Sequence, residues 1–265
     1  MRTNQELNIV DGLIKPSIDD IAYFNDLEVC ICVPCASYLT NTRFMKSIAN
    51  VIAYSWVCGL KIYLTGITER MVVDWARNSL AKSALEATNQ YTGNSFTHML
   101  WLDDDHVFNA DLAIALARHD VDMVSALYFS RTQPYMPVAY VKDETPDKYK
   151  HYPVVDVPNE ICEIDAVGFG ACMMRTDVFS RVPEPWFTLD WNAGEDIAFC
   201  VKAKEYGIKI YLDGQYKLGH IGMPMIVSED VYKEYAEKHP EKYAKKKRVA
   251  LGGRKVSEEP LKLEV

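Results

Sequence analysis

The chain has 265 residues, of which 49% are hydrophobic and 25% charged, and a formal net charge of −8. That length holds one large α/β domain or two small ones around a sizeable core, in the composition range of a soluble globular protein. The acidic balance excludes a general attraction to nucleic acid or acidic membranes. No signal-peptide pattern opens the sequence, and its most apolar stretch (48–64) is interrupted by Asn50, Ser55, Gly59 and Lys61, so no bilayer span is expected.

In chain order, a polar segment ends in a short helix near 19–24, and the β-rich run 27–33 (LEVCICV) predicts a first strand closed by Pro34. Apolar residues at helical spacing (Phe44, Ile48, Val51, Ile52, Trp56) predict a helix over 40–58, capped by Thr40 or Asn41. A strand over 61–64, a helix over 72–88, a strand over 98–102, a helix over 110–117 and a strand over 123–128 follow. Such alternation predicts a mainly parallel, doubly wound sheet. The second half is less regular. Strands are expected over 138–141 and 152–157, and over 166–174 with interruptions at Gly168 and Gly170. A helix over 195–206 is ended by Gly207, a short strand covers 209–212, and the residues after Ser228 read as helical and charged.

Seven cysteines without a disulfide-framework spacing read as free thiols in a reducing cytoplasm. Cys32 and Cys35 form a C-x-x-C, but Cys30 and Cys32 alternate within an apolar run, as structural strand residues do.

The chemistry gathers at Asp103-Asp104-Asp105, directly after the apolar strand HMLWL. In parallel α/β sheets ligands bind beyond the carboxyl ends of strands. Three adjacent carboxylates repel one another unless a cation or strong donors compensate them. Hard divalent cations prefer such oxygens and bridge them to phosphates, so Mn²⁺ or Mg²⁺ is expected. One of the three aspartates could instead cap the helix that follows.

The ordered set Trp75-Ala76-Arg77-Asn78, Leu102-Asp103-Asp104-Asp105, Gly168-Phe169-Gly170, Gly194-Glu195-Asp196 and Gly219-His220 resembles the GT-A glycosyltransferases over about residues 27–222. It looks closest to the small single-domain members of phages and large viruses. The resemblance implies an α/β fold of GT-A (Rossmann-like) type, a mainly parallel central sheet flanked by helices with a smaller mixed acceptor-side sheet. It divides the chain into an N-terminal extension (1–26), a catalytic domain (27–227) and a charged, helical, basic C-terminal tail (228–265). It also implies metal-dependent transfer of a sugar from a nucleotide-diphosphate sugar, most simply a UDP-sugar, to an acceptor hydroxyl; a lone acidic base near Asp196 favours inversion, with retention open.

Carried over residue by residue, Asp105 and His220 become metal ligands, with Asp103 nearer the ribose and also within the metal's reach. Asp104 keeps the choice among the three carboxylates open. Arg77 is expected on the diphosphate or in an ion pair, and Asn78 on the donor or on its own loop. Pro34, Cys35 and Ala36 approach the nucleotide base. Gly168 and Gly170 leave room for the donor sugar or form a bulge. Asp196 is the expected base, with Glu195 as a donor-sugar or acceptor contact, or the two in reverse order, and one of them could merely cap the helix. Trp186 and Trp191 stack on the acceptor or pack in the core.

A hydroxymethylated base in phage DNA is one acceptor the resemblance allows, which would put the protein in the host cytoplasm. The basic residues Lys242, Lys245, Lys246, Lys247, Arg248, Arg254 and Lys255 suit phosphate contact, while the net charge opposes it. Glycan, lipid or protein acceptors stay open. So does a nucleotidyltransferase or sugar-nucleotide enzyme, although 32–42 shows no Gly-rich phosphate loop.

Overall fold

A computed structural model describes residues 9–10, 12–37, 39–156, 159–190, 193–222 and 226–243. Trp191 and the basic residues from Lys245 onwards lie outside the described residues. The expected α/β architecture is present. Its central sheet holds seven strands: β1 (Glu28–Cys35), β2 (Lys61–Glu69), β3 (His98–Leu102), β4 (Met123–Leu127), β5 (Ile161–Ile164), β6 (Ala171–Arg175) and β7 (Ile210–Lys217). Their spatial order is β5-β7-β4-β6-β3-β1-β2. Five run in one direction, while β5 and β6 run against them.

Alternation along the strands splits the core in two. Val29, Ile31, Val33, Leu100 and Leu102 enter one apolar cluster, and Cys30, Cys32, Met99 and Trp101 enter the other, across the sheet. Helices cover both faces. The helices are α1 (Ile18–Phe24), α2 (Thr42–Val57), α3 (Val73–Glu86), α4 (Leu112–Ala117), α5 (Val178–Arg181), α6 (Glu195–Glu205) and α7 (Glu229–Lys238). Helix α2 buries Phe44, Ile48 and Val51 at helical spacing, and Asn41 is its cap, accepting from the Arg43 N–H at 2.9 Å. Gly207, at φ +77°, ends α6 in the left-handed conformation that glycine takes without penalty. No helix of the described residues is long and apolar enough to cross a membrane.

Three differences from the sequence expectation bear on the site. Strand β1 continues through Pro34, because β3 pairs with it only as far as Cys32, and the missing N–H of proline then costs no ladder bond on that side. The run 166–174 is not one strand. Ala166–Val167 belongs to a small sheet with Ala139–Lys142 and His151–Pro153, and the chain crosses at Gly168–Gly170 into the central sheet as β6. A second small sheet places Gly219–Ile221 between His106–Val107 and Ile226–Val227.

The outer segments are tied to the body. The Ile14 N–H donates to Asp111 at 2.7 Å and Phe24 is fully buried. Tyr232 and Tyr243 join the core. Tyr232 stacks on Phe129 at 5.1 Å, and the Tyr243 hydroxyl donates to the Pro134 carbonyl at 2.6 Å.

Candidate metal and donor site

At the carboxyl end of β3 the Asp103 N–H donates to the Gly170 carbonyl at 3.2 Å, and the chain turns through Asp104 and Asp105 into the strand His106–Val107. The Ile221 N–H donates to the Asp105 carbonyl at 2.7 Å, which brings His220 alongside, 115 residues away in sequence. The three aspartates then diverge. Asp103 accepts from Arg77 at 2.8 Å, Asp104 accepts from the Cys35 thiol at 2.9 Å, and Asp105 faces two histidines.

Asp105, His106 and His220 each offer a ligand atom, all within 4.8 Å of one another. The Nδ1 of His220 lies 2.7 Å from the Phe129 carbonyl, which can only accept, so Nδ1 carries the proton. That leaves the Nε2 lone pair 3.2 Å from an Asp105 oxygen, the outer-sphere arrangement of ligating histidines. His106 is 1% exposed and stacks on His220 at 4.3 Å. Its Nδ1 is 3.2 Å from Asp105, yet neither ring nitrogen makes a hydrogen bond of proper geometry. A buried imidazole without partners is costly, and a cation would relieve it. Burial alone would raise the Asp105 carboxyl, but the positive charge that the adjacent His106 and His220 rings carry when protonated holds it well below the usual carboxylate range. The donor set thus fits a divalent cation.

His106 was not among the residues the sequence suggested. It adjoins the acidic run, but only carboxylates were weighed there. Asp103, assigned to metal or ribose, is half-exposed towards the cleft and spends one oxygen on Arg77.

Arg77, 2% exposed, ties Asp103 to Glu195, its Nε lying 2.9 Å from Glu195 Oε1. The guanidinium sits between the Trp101 and Phe169 rings, at 5.6 and 5.4 Å from their centres. Burial opposes its charge, but the two carboxylates outweigh burial. Arg77 is therefore an internal clamp rather than a surface phosphate ligand. Asn78 likewise fixes a loop: its amide donates to the Phe187 carbonyl at 2.7 Å, and its oxygen accepts from the Trp186 and Phe187 N–H groups at 3.1 Å. Trp186 is buried, with its indole N–H on the Phe179 and Val182 carbonyls at 3.0 Å, so its ring is a core group and offers no face to an acceptor.

The cleft, of about 340 Å³, is lined by Asp103, Asp105, His106, Tyr128, Arg131, Tyr140 and His220 among others. Tyr128 and Arg131 follow the carboxyl end of β4, where the strand-end rule applied to β3 would have found them. Gly168 and Gly170 make room for protein rather than for sugar. A Cβ at Gly168 would stand 2.0 Å from the Tyr128 hydroxyl, and one at Gly170 would stand 2.5 Å from the His106 ring. Gly168→Ala is expected to lose about 1–3 kcal/mol by overpacking, read as a lower urea midpoint at unchanged slope.

Asp196 stands in the first turn of α6. Burial, reinforced by Glu195 and only partly offset by Arg77, pushes its carboxyl up to about 7. Its charge is felt by Tyr128 and Tyr140, whose hydroxyls are raised chiefly by burial. Pro34 and Ala36 lie at the end of β1, Ala36 exposed, beside the Cys35 that holds Asp104. All seven cysteines are free thiols, and burial pushes Cys35 up, away from reactivity.

No protein-family profile matches the chain, and no curated protein matches it. Among solved structures it is similar to A197 from STIV, with a TM-score of 0.51 and 17% identity over 77% of this chain and 91% of that one. It is also similar to GalNAc-T7, solved with UDP, GalNAc and Mn²⁺, with a TM-score of 0.48 and 13% identity over 82% of this chain and 50% of that one. At 17% identity the likeness to A197 shows a shared fold and no more.

Proposed function

We propose that the protein transfers a sugar from a nucleotide-diphosphate donor, a UDP-sugar in the simplest case, to an acceptor hydroxyl with inversion. The observation that carries this reading is the convergence of Asp105, His106 and His220 on one cleft, at the strand end where ligands bind in such sheets. Asp105, His106 and His220 would hold a divalent cation, which would supply charge neutralisation for the departing diphosphate. Two imidazoles and one carboxylate favour Mn²⁺ over Mg²⁺, which prefers oxygen ligands and gives up water reluctantly.

The remaining steps belong to the chain's own residues. Arg77 fixes Asp103 towards the ribose and Glu195 away from the cleft. Asp196 takes the proton of the attacking hydroxyl onto its carboxylate, and a base titrating near neutrality suits that transfer. Because the ionised form is the base, kcat/KM is expected to rise with pH through about 7. A hydroxymethylated base in DNA is one acceptor this reading allows, beside a glycan, lipid or protein hydroxyl. Its duplex would have to be opened or the base flipped to reach the cleft.

The test incubates the protein with a panel of nucleotide sugars and Mn²⁺, Mg²⁺ or EDTA. Nucleoside diphosphate release should be faster with Mn²⁺ than with Mg²⁺ and stop in EDTA. Release indifferent to EDTA would remove the cation from the mechanism. Mass spectrometry of nucleosides from hydroxymethylated DNA decides the acceptor, and no mass shift with any donor points to a glycan, lipid or protein hydroxyl instead.

A further inference from the structure

The Arg131 guanidinium lies on the side of Asp105 that any cation held with His220 must use. Its Nη1 is 2.5 Å from Asp105 Oδ2, the same oxygen that stands 3.2 Å from His220 Nε2. The side chain is 57% exposed, in contrast to the clamp Arg77 at 2%. The pair is open to solvent on its arginine side and correspondingly weak, so a competing charge can break it. The backbone beneath is held. The Ser130 N–H donates to the Met136 carbonyl at 2.8 Å, the Tyr135 N–H to the Thr132 carbonyl at 2.8 Å, and the Tyr235 hydroxyl to Gln133 at 3.0 Å. Arg131 can therefore leave Asp105 by turning its side chain while the loop stays in place.

We propose that Arg131 is an exchangeable internal cation. It holds Asp105 oriented until a divalent cation claims that oxygen, and the displaced guanidinium then serves as an anion-binding group on the cleft wall, where it meets the donor's phosphates. This rests on the cation site proposed above. The electrostatic logic is direct: a guanidinium and a divalent cation on one carboxylate oxygen repel each other, so entry of one expels the other. Once expelled, a planar fork that is the one arginine lining the cleft among the described residues is matched to phosphate oxygens. Arg131 is thus a positioning residue that couples cation binding to donor binding.

The coupling is tested without turnover, using the full chain, Mn²⁺ alone and then UDP in the presence of saturating Mn²⁺, each followed by calorimetry. Arg131→Ala should bind Mn²⁺ about 2–5-fold more tightly than the wild type, because Asp105 no longer has a competitor. The same variant should bind UDP about 10-fold more weakly once Mn²⁺ is present, a loss in the range of a charge-assisted hydrogen bond. Arg131→Lys keeps a competing cation and should restore the wild-type Mn²⁺ affinity while recovering only part of the UDP affinity. Unchanged or weakened Mn²⁺ binding in Arg131→Ala overturns the exchange. Tighter Mn²⁺ binding together with unchanged UDP binding overturns the second half of the proposal. If neither protein binds Mn²⁺, the cation site itself falls and the exchange with it. Absence of sugar transfer beside the expected Mn²⁺ and UDP changes would sink the transferase reading and leave the exchange standing.

Discussion

Asp105→Asn should abolish measurable Mn²⁺ binding and lower donor turnover by about 10³-fold, while leaving the protein folded. The size follows from what the carboxylate does. It is the one anionic member of the set Asp105, His106 and His220, and it carries the charge that pays for desolvating a divalent ion. Removing a single preorganised electrostatic contact in an active site costs about 10²–10³-fold, and here the cation itself goes with it. The fold should survive because Asp105 also acts through its backbone, whose carbonyl receives the Ile221 N–H at 2.7 Å whatever the side chain. Asparagine keeps the shape. Circular dichroism, calorimetric Mn²⁺ titration and diphosphate release on the same sample separate the effects. An Asp105→Asn variant that binds Mn²⁺ as the wild type does would move the cation elsewhere.

Arg77→Ala is expected to be the most destabilising single change in the molecule, by about 3–5 kcal/mol. Two carboxylates, Asp103 and Glu195, converge on this one buried guanidinium at 2.8 and 2.9 Å. Deleting it leaves two negative charges with no cation between them, and opens a void beside Trp101 and Phe169. Urea unfolding measures the loss. A loss below about 1 kcal/mol would mean that the carboxylates reach water or other donors, against their position in the structure. Arg77→Lys should rescue only part, since an ammonium cannot hold both partners in the fork geometry.

Much of the fold was legible because its signals are local. Strand alternation in β1 and β3, the apolar stripe of α2 and Gly207 after α6 each follow from a few neighbouring residues. Strand β6 was not legible. Its run reads like its parallel neighbours, and only the crossing at Gly168–Gly170 sends it antiparallel between β4 and β3. The candidate site divides in the same way. Asp103, Asp105 and His220 stand out as residue types at a strand end or beside a glycine. His106, Tyr128 and Arg131 are ordinary in sequence and gain their place only from pairings with residues far along the chain. The roles of Arg77 and Asn78 depend on burial, which a polar side chain on an amphipathic helix does not announce. Trp186 illustrates the converse, an aromatic whose local context allowed a sugar face and whose hydrogen bonds put it in the core.

The stack of Tyr232 on Phe129 has a consequence for where this chain tolerates damage. The Phe129 carbonyl fixes which nitrogen of His220 is protonated, and the ring of the same residue is held by a helix that begins after every nominated site residue. A protease cut near residue 228 would spare the whole acidic cleft and still remove the bracket that sets that tautomer. Helix α7 thus acts on the chemistry from a distance, as a hand steadies a lens it never touches.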